Sequence, residues 1–502
     1  MYYSRWFFRL YRHQNSLSIQ HNVIAIGHDL LVRLTHMKKS VFLLLCLFAF
    51  MVACTQAGNV SQAEIVTQSP QPVASATPLP TQIHATATPI PAETDGVVLQ
   101  FWHPWTGNKA SSIAALVAEF NRSNEQGIFI EEKSVADENF LMSEVLDALE
   151  QENMPDILAA PSRFNRSLYQ QGVVLALDDL IANPETGISA EQRRTFPTVF
   201  WDEDVLEGVR YAVPAEYNLN ILFYNQSWAQ ELGFENPPAS SEEFLNQACA
   251  AARFNAFDAN DENNGTGGWI YNNEPVTMLS WMQAFGGGEI PADLNRGIEF
   301  NTAENQDAME FLRTIYQLDC AWTGKESTPY AYFARRYALF YSGSVADWQR
   351  QLALDEIEGN TDEWIIIPYP GQDGDPIVNS ATLSYAITRS EPEREQAAWV
   401  FIRWMLSDDV QIAISEETYS IPVTLAIVPE LADMMDQHPA WQRLVQYLPL
   451  SRPLPAVSSW NILASLLKDV GWQVSQFNVA AADIPTILEN LDTIANEVIH
   501  DN

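Results

Sequence analysis

Hydrophobic positions beyond residue 96 change period along the chain, and this change predicts alternating strands and helices. Residues 96–102 form a β-type run, and apolar side chains then recur at helical spacing over residues 113–120. A second extended run covers residues 128–131, a second helical stripe covers residues 142–149, and residues 155–158 are extended and apolar again. This β-α-β-α-β order predicts an α/β fold with a parallel sheet and a ligand site at the carboxyl ends of its strands.

The N-terminal part of the chain has a different pattern. Residues 37–54, MKKSVFLLLCLFAFMVAC, combine two lysines with an apolar run that is too short to cross a bilayer, which needs about 20 residues. We interpret residues 1–54 as a leader and lipoprotein signal peptide. Residues 51–54 resemble a lipobox, which makes Cys54 the predicted lipidation site. A plain secretory signal with an incidental cysteine stays open as the alternative.

Residues 55–96 are rich in proline, serine, threonine and alanine, a composition that cannot build a core. We predict a disordered linker, which at about 3 Å per residue can hold a folded body on the order of 100 Å from a membrane. The expected location is therefore extracytoplasmic, on the cell membrane facing the periplasm or the cell surface, with contact to the membrane through the lipid anchor only.

The overall charge restricts the classes of partner. The chain has 27 Lys and Arg against 64 Asp and Glu, a formal net charge of −37. Such a surface repels nucleic acid and anionic lipid headgroups, so we predict no nucleic-acid partner. A solvated acidic exterior that keeps an exported protein soluble accounts for most of this charge.

Two cysteines remain outside the signal peptide, Cys249 and Cys320. Outside the cytoplasm a disulfide is the simplest interpretation, and two buried free thiols are the alternative. Residues 258–265, DANDENNG, resemble a calcium loop, but the glutamate expected near the end of such a loop is missing. We interpret the segment as a polar surface turn and predict no metal site and no cofactor.

The segment of residues 211–245, YAVPAEYNLNILFYNQSWAQELGFENPPASSEEFL, carries a specific resemblance. It resembles the extracellular solute-binding proteins of ABC importers, family 1, the maltose-binding-protein-like group. Further fragments follow the order and spacing of that family: FWHPWTG from Phe101, MPDILAA from Met154, GVVLALDDLI from Gly172, FYSGSVADW from Phe340 and NSATLSYAIT from Asn379. Together they cover nearly all of residues 97–500.

The resemblance implies a two-lobed periplasmic-binding-protein fold, type II-like, with the ligand cleft between the lobes. Lobe 1 would hold residues 97–217 and 370–420, and lobe 2 would hold residues 218–369 and 421–502. Residues 215–221 would form one crossing between the lobes. A second crossing, residues 367–375, contains prolines and glycines that set the direction of the chain.

The candidate ligand-binding residues combine aromatic rings, which stack on the C–H faces of sugars, with side chains that donate and accept hydrogen bonds. By motif position, the resemblance implies that the cleft is lined by Trp102, His103, Trp105, Glu216, Tyr217, Asn218, Trp281, Asp347, Trp348, Asn379 and Ser380.

The predicted function is capture of a small polar ligand by lobe closure and delivery to the transmembrane permease subunits of an ABC importer, by a monomer that is not an enzyme. A carbohydrate is the leading ligand and a cation such as a polyamine is second, because acidic cleft residues disfavour anions. Two alternatives stay open: a secreted glycan-binding lipoprotein without a transporter, and a glycoside hydrolase, since 64 acidic residues can supply a catalytic carboxylate pair.

Overall fold

The computed structural model describes residues 96–291, 294–457 and 459–500. The predicted leader and signal peptide, with Cys54, and the predicted linker up to residue 95 lie outside the described residues.

The strands are β1 (Val97–His103), β2 (Ile128–Ser134), β3 (Ile157–Pro161), β4 (Val205–Leu206), β5 (Val209–Arg210), β6 (Val213–Asn225), β7 (Gly267–Ile270), β8 (Ala321–Trp322), β9 (Ala338–Ser344), β10 (Trp364–Ile367), β11 (Val378–Ile387) and β12 (Ser451–Pro453). The α-helices are α1 (Gly107–Ser123), α2 (Glu138–Glu150), α3 (Ser162–Gln170), α4 (Asp178–Ala182), α5 (Ala190–Arg193), α6 (Thr198–Trp201), α7 (Gln226–Glu231), α8 (Ser241–Phe257), α9 (Pro275–Ala284), α10 (Ala303–Gln317), α11 (Tyr330–Ala334), α12 (Trp348–Glu358), α13 (Pro392–Met405), α14 (Asp408–Thr418), α15 (Ala432–Gln437), α16 (Pro439–Tyr447), α17 (Trp460–Val474) and α18 (Ile484–His500). Short 3-10 helices cover Asp202–Asp204, Asp261–Asn263, Leu294–Arg296, Val345–Asp347, Leu425–Leu431, Leu448–Leu450 and Ala481–Asp483.

The first half of the main sheet confirms the β-α-β-α-β order predicted from the sequence. Strand β1 pairs in parallel with β2 on one side and with β3 on the other. The helices α1 and α2 connect these strands and bury the apolar stripes that identified them, including Ile113 and Phe120 in α1 and Val145 in α2. The sheet is not parallel throughout, because β11 joins β3 in antiparallel orientation.

Strand β6 runs through both halves of the sheet, whose order is β2-β1-β3-β11-β6-β9-β7-β8. Its residues from Val213 to Asn220 pair with β11, while its residues from Asn220 to Asn225 pair with β9 and β10. The strand therefore changes partners at Asn220, inside the segment in which the sequence predicts a crossing. This 13-residue strand is one continuous element, so the two half-sheets share one backbone connection.

The second half-sheet repeats the α/β pattern around β7 and β9, which pair in parallel. Strand β7 runs so close to β8 and α8 that only glycine fits at one position: a Cβ on Gly268 would lie 1.9 Å from the carbonyl oxygen of Cys320. At this point Cys249 of α8 and Cys320, just before β8, form a disulfide. The bond ties the helix to the strand that flanks β7.

The buried apolar side chains form one core cluster under each half-sheet and a smaller third cluster. The second cluster contains the faces of α8, α9, α10, α17 and α18 that point toward the sheet. The first cluster lies under β1, β3 and β11 but also includes Trp348 and Trp364 from the second half and Trp441 from residues 421–448. Because this cluster draws on both halves, core packing alone does not divide the chain, and the limits of the lobes stay a prediction. Among the described residues, no helix combines the length and the apolar character needed to span a bilayer.

Removal of the disulfide should destabilise the second half-sheet. The bond closes a loop with a sequence separation of 71 residues, and constraint of the unfolded chain over such a loop contributes about 3–4 kcal/mol. We expect Cys249→Ala together with Cys320→Ala to lower the free energy of unfolding in urea by about this amount. A reducing agent should destabilise the wild type and leave the double variant unchanged; equal stability of the two proteins without reductant would contradict the assignment.

Candidate functional site

A polar stripe lies on one face of β6 where the strand changes partners. Glu216, Asn218 and Asn220 are partly exposed, whereas Tyr217 and Leu219 between them are buried. Successive side chains of a strand point to opposite faces, so the three polar residues share one face. The alternation therefore places a carboxylate and two amides in a row across the junction of the half-sheets.

The carboxyl ends of β1 and β9 approach the stripe from the two halves. Helix α1 begins just after β1, and α12 begins just after β9. Asn108 in the first turn of α1 donates from Nδ2 to Oε1 of Gln349 in the first turn of α12, at 3.5 Å. Gln349 also donates to the backbone carbonyl of Glu417 at the end of α14. The helix starts therefore enclose the stripe from both sides.

Glu216 is held by two residues from the first half. The indole nitrogen of Trp105 donates to its Oε2 at 2.5 Å, and Lys109 Nζ donates to its Oε1 at 2.6 Å. Lys109 also donates to Ser420 Oγ at 2.9 Å. The side chains of Lys109 and Glu216 are only 16% and 13% exposed, so this charge pair is largely shielded from water. Trp105, Lys109 and Ser420 thus fix the position of the Glu216 carboxylate.

Arg163, in the first turn of α3, has a different environment. Its side chain is 15% exposed, and the one ion pair that the described residues give it joins its Nη2 to Glu138 Oε2 at 3.6 Å. That separation is too long for a well-formed hydrogen bond, and the described residues offer the guanidinium no closer acceptor. Burial lowers the pKa of Arg163, and the charges of Glu138 and Glu203 oppose this effect. Burial also raises the pKa of Glu138, and the nearby Glu216 carboxylate adds to the increase.

Behind this arginine lie two acids of the 3-10 helix Asp202–Asp204. Asp204 is fully buried, and Glu203 is half-buried with its Oε2 shielded from water. Burial, followed by the charge of Asp204, raises the pKa of Glu203 to about 8. Burial raises the pKa of Asp204 to about 6, although Ser162 Oγ donates to its Oδ1 at 2.6 Å. At neutral pH the Glu203 carboxyl is therefore largely protonated.

The structure brings three of the candidate residues, Trp105, Glu216 and Asn218, together at the stripe. Asn218 Oδ1 accepts from the backbone N–H of Ala346, at 3.4 Å, and so contacts the segment after β9. Asp347 lies in the same segment and accepts from Tyr330 Oη at 2.5 Å and from the backbone N–H of Ser344 at 2.7 Å. Both oxygens of Asp347 therefore already have donors.

The tryptophan rings predicted as open platforms are covered by neighbouring side chains. Trp281 is completely buried and packs edge-on against Tyr369. Trp348 is 1% exposed, with its ring centroid 4.7 Å from that of Trp364. Trp102 is 9% exposed and lies under Lys133 Nζ, 3.8 Å from the ring centroid. In this structure these rings form the packed walls behind the stripe and offer no open face.

Four other predicted residues are also buried. His103 donates or accepts through Nε2 at 2.8 Å from Glu132 Oε1, according to its tautomer. Tyr217 points away from the stripe, and its hydroxyl donates to the carbonyl of Val423 at 2.9 Å. Asn379 Nδ2 donates to Ser280 Oγ at 2.9 Å, beside Asn220, while Ser380 Oγ is buried without a hydrogen-bond partner among the described residues.

The sequence analysis missed Lys109, Glu138, Arg163 and Glu203. One signal was present for Lys109, because the described part of the chain contains only three other lysines, Lys133, Lys325 and Lys468. Arg163 is the first charged residue after β3, a strand end that the analysis had already named as a site position. No local pattern marks Glu203, whose burial depends on β11, more than 170 residues later.

The segment that resembles a calcium loop uses its oxygens internally. Asp258 accepts from the backbone N–H of Asn260 at 2.8 Å and from Asn263 Nδ2 at 2.9 Å. Across the described residues, no group of three or more His, Cys, Asp or Glu side chains is arranged to hold a metal ion. The geometry is that of a hydrogen-bonded polar turn.

Comparison with known proteins gives a family and a fold. A family model for bacterial extracellular solute-binding proteins matches residues 115–446. Among solved structures, the sugar-binding protein MalE from the phytopathogen Xanthomonas citri matches with a TM-score of 0.68 at 18% identity, covering 81% of this chain and 98% of its own. The cyclic alpha-maltosyl-1,6-maltose binding protein from Arthrobacter globiformis matches with a TM-score of 0.65 at 16% identity, covering 80% of this chain and 99% of its own.

A third solved structure, UgpB from Mycobacterium tuberculosis in complex with glycerophosphocholine, has a TM-score of 0.65 at 18% identity and covers 81% of this chain and 99% of its own. A search of curated protein sequences finds no match. The neighbours confirm the predicted fold class, a two-lobed α/β binding-protein fold.

The ion pair between Lys109 and Glu216 should contribute to the free energy of unfolding. We expect Lys109→Ala to lower the free energy of unfolding by about 2 kcal/mol, because it leaves a shielded carboxylate without its cation. The matched control is Lys468→Ala, whose partner Glu274 is 57% exposed, and we expect less than about 1 kcal/mol there. Urea unfolding of both variants at pH 7 measures the difference. Equal losses of unfolding free energy in the two variants would contradict a stabilising role for the Lys109–Glu216 pair.

The buried Glu203 should make stability depend on pH in an unusual direction. Between about pH 4.5, the ordinary pKa, and about pH 8 the folded protein holds a proton that the unfolded chain has released. Wild-type stability therefore falls as pH rises through this window. Relative to the wild type, Glu203→Gln should become more stable from pH 5 to pH 9, by up to about 4 kcal/mol, since one pKa unit corresponds to about 1.4 kcal/mol.

Denaturation curves across this pH range test the expectation. Glu310→Gln, at an exposed site in the middle of α10, is the control and should follow the wild type at every pH. A constant difference between Glu203→Gln and the wild type from pH 5 to pH 9 would show that the carboxyl is ionised throughout.

Proposed function

The chain belongs to the bacterial extracellular solute-binding proteins, and from this premise we propose that it captures a sugar or oligosaccharide and delivers it to the permease subunits of an ABC importer. The observation that carries the proposal is the polar stripe of β6, Glu216, Asn218 and Asn220, together with the guanidinium of Arg163, whose ion pair with Glu138 is long at 3.6 Å. The stripe crosses the junction of the two half-sheets, where a bound solute contacts both.

Hydrogen-bonding capacity favours a polyhydroxylated solute. A sugar hydroxyl both donates and accepts, so it matches amides and mixed pairs of acidic and basic groups. Asn218 retains its amide donors, and the guanidinium of Arg163 makes no short hydrogen bond in the described residues. Glu138 supplies a carboxylate beside that arginine, with a side chain 38% exposed. These groups supply donors and acceptors side by side.

The charge of the site favours a neutral solute. Lys109 is matched by Glu216 and Arg163 by Glu138, so neither cation is left to attract an anion. A cationic solute such as a polyamine ranks second, because the site also holds the carboxylates of Glu138 and Glu216. Among the solved relatives, MalE from Xanthomonas citri is described as sugar-binding, and this agrees with the same ranking.

We place the direct solute contacts at Glu138, Arg163 and Asn218. In this proposal Trp102, His103, Tyr217, Trp281, Asp347, Trp348, Asn379 and Ser380 support the site from behind, and Trp105 and Glu216 shape its edge.

Closure of the two halves completes the proposed mechanism. We assign residues 97–217 and 370–420 to one lobe and residues 218–369 and 421–502 to the other. The contacts of Gln349 with Asn108 and with the carbonyl of Glu417 join the lobes at the rim of the site. A solute that contacts both lobes shifts the population toward the shut state by its differential affinity for that state. The shut lobes then present the surface that a permease recognises, and lipid on Cys54 would hold the protein at the membrane.

A thermal-shift panel tests the proposed solute class. We expect maltose, maltotriose or another neutral oligosaccharide to raise the melting temperature of the purified protein, since a ligand that binds only the folded state stabilises it. Spermidine and amino acids form the comparison sets. Stabilisation by spermidine alone would favour the cationic class, and the absence of any shift across the sugar set would contradict the proposal.

Substitution within α3 tests the proposed contacts. We expect Arg163→Ala to raise the Kd for the stabilising sugar at least 10-fold, because a charged hydrogen bond contributes about 1.5–3 kcal/mol. Arg166→Ala removes the same side chain one turn later and should change the Kd less than twofold. Calorimetric titration of both variants measures the contrast, and a similar Kd for the two would remove Arg163 from the site.

A further inference from the structure

Two consecutive carboxyls are buried next to the site without full hydrogen bonding. Glu203 Oε2 and Asp204 Oδ2 have no hydrogen-bond partner among the described residues. The hydroxyls of Thr382 and Ser384 on β11 face these carboxyls and lower their pKa values, but neither hydroxyl makes a well-formed hydrogen bond. A buried carboxylate with so few donors is costly, and a buried carboxyl that keeps its proton avoids most of that cost.

The cations that face this pair are few and already shared. Glu203 and Arg163 are brought close because Ser162 Oγ donates to Asp204 Oδ1 at 2.6 Å, and these two residues are their immediate neighbours in the chain. The charges of Glu138 of α2 and of Glu203 both raise the pKa of Arg163. Asp204 interacts with Arg210 of β5, whose guanidinium lies over the ring of Trp201 and donates to its carbonyl at 2.6 Å. The remaining charged or titratable groups that interact with these residues are Asp137, Arg166, Asp178, Asp202, Tyr211, Glu216 and Tyr217. Arg163 is therefore the cation that responds directly to the charge of Glu203.

We propose that Glu203 is a positioning residue for Arg163: its protonated carboxyl leaves the guanidinium directed at Glu138 and the solute, and its ionised carboxylate draws the guanidinium away. This inference rests on the proposed function, because it assigns Arg163 to solute binding. It adds a specific regulation of the site, in which solute affinity falls as the surroundings become alkaline.

The geometry determines the direction of the effect. Arg163 makes no short hydrogen bond in the described residues, and its ion pair with Glu138 is long at 3.6 Å, so no short polar contact fixes the direction of its guanidinium. An ionised Glu203 offers a buried carboxylate, and such a carboxylate forms a stronger charge-assisted hydrogen bond than a neutral sugar hydroxyl does. Burial raises the pKa of Glu203 to about 8, within the pH range that an extracytoplasmic protein meets. Alkaline pH should therefore withdraw Arg163 from the solute.

A titration followed by NMR tests the positioning without any ligand. The full-length protein labelled with ¹⁵N-arginine gives an Nε–H signal for each ordered arginine, and loss of one signal in Arg163→Lys assigns it. We expect the Arg163 signal to shift with a midpoint near pH 8 in the wild type and to stay constant in Glu203→Gln. Thr382→Val removes a hydroxyl that lowers the pKa of Glu203, so it should move the midpoint to higher pH.

The wild-type titration is decisive even if Glu203→Gln fails to fold. An Arg163 signal that does not move between pH 6 and pH 9.5 would overturn the proposal, because a purely structural Glu203 leaves the arginine where it is. A shift of the Arg163 signal that persists in a folded Glu203→Gln would overturn it as well, since another group would then control the arginine.

Affinity measurements test the consequence for binding, with maltotriose as the probe. We expect the Kd of the wild type to rise about 5- to 10-fold between pH 7 and pH 9, and that of Glu203→Gln to change less than twofold. Glu310→Gln, an exposed control, should follow the wild type. A wild-type Kd that is constant with pH would overturn the regulation.

The two arms also separate failure of this proposal from failure of the proposed function. If neither maltotriose nor any other sugar of the panel binds at any pH, the sugar-binding function is contradicted, and the NMR titration still decides whether Glu203 positions Arg163. If sugar binds and the Arg163 signal does not respond to pH, the positioning role alone fails.

Discussion

The site depends on one constraint, the continuity of strand β6 through both half-sheets. The strand pairs with β11 up to Asn220 and with β9 and β10 beyond that residue, so neither half can be built without it. Because side chains alternate along a strand, the register of β6 fixes the face on which each side chain lies. This register places Glu216, Asn218 and Asn220 on the open face. It places Tyr217 and Leu219 in the cores. A slip of one residue would bury the polar stripe and expose the apolar one.

Lys109 and Arg163 illustrate two uses of a cation next to this stripe. The ammonium group of Lys109 has several protein partners. It donates to Glu216 and to Ser420 and lies 5.2 Å from the centroid of the Trp105 ring. The guanidinium of Arg163 makes no short hydrogen bond in the described residues and has a long ion pair with Glu138. The first arrangement fixes a carboxylate in a rigid frame, whereas the second leaves donors available for a solute. A receptive site needs both, because unsatisfied donors bind a ligand well only when their surroundings are already ordered.

Local periodicity predicts the strand and helix order of the first half, which the structure confirms. Motifs in family order identify Glu216 and Asn218 as candidate site residues, and the crossing at residues 215–221 stays a prediction. The sequence does not predict that Trp281 and Trp348 are covered, since aromatic residues next to turns have the same local pattern whether they pack or project. The partners that bury them, Tyr369 and Trp364, lie on other elements. Lys109 was missed for a related reason: its partner Glu216 is 107 residues away in the chain.

The buried acids near Arg163 show why burial and charge must be considered together in a protein of net charge −37. Most of its carboxylates face water and influence the site little, because exposed charges are screened over about 10 Å at ordinary ionic strength. The carboxyls of Glu203 and Asp204 are shielded from water. Desolvation is therefore the largest effect on their pKa values, and binding a proton removes the cost of a buried charge. The electrostatics of the site are thus set by a few shielded groups, Lys109, Glu138, Arg163, Glu203 and Glu216. Under the proposed function, the balance of charge among these five groups determines which solutes the site accepts.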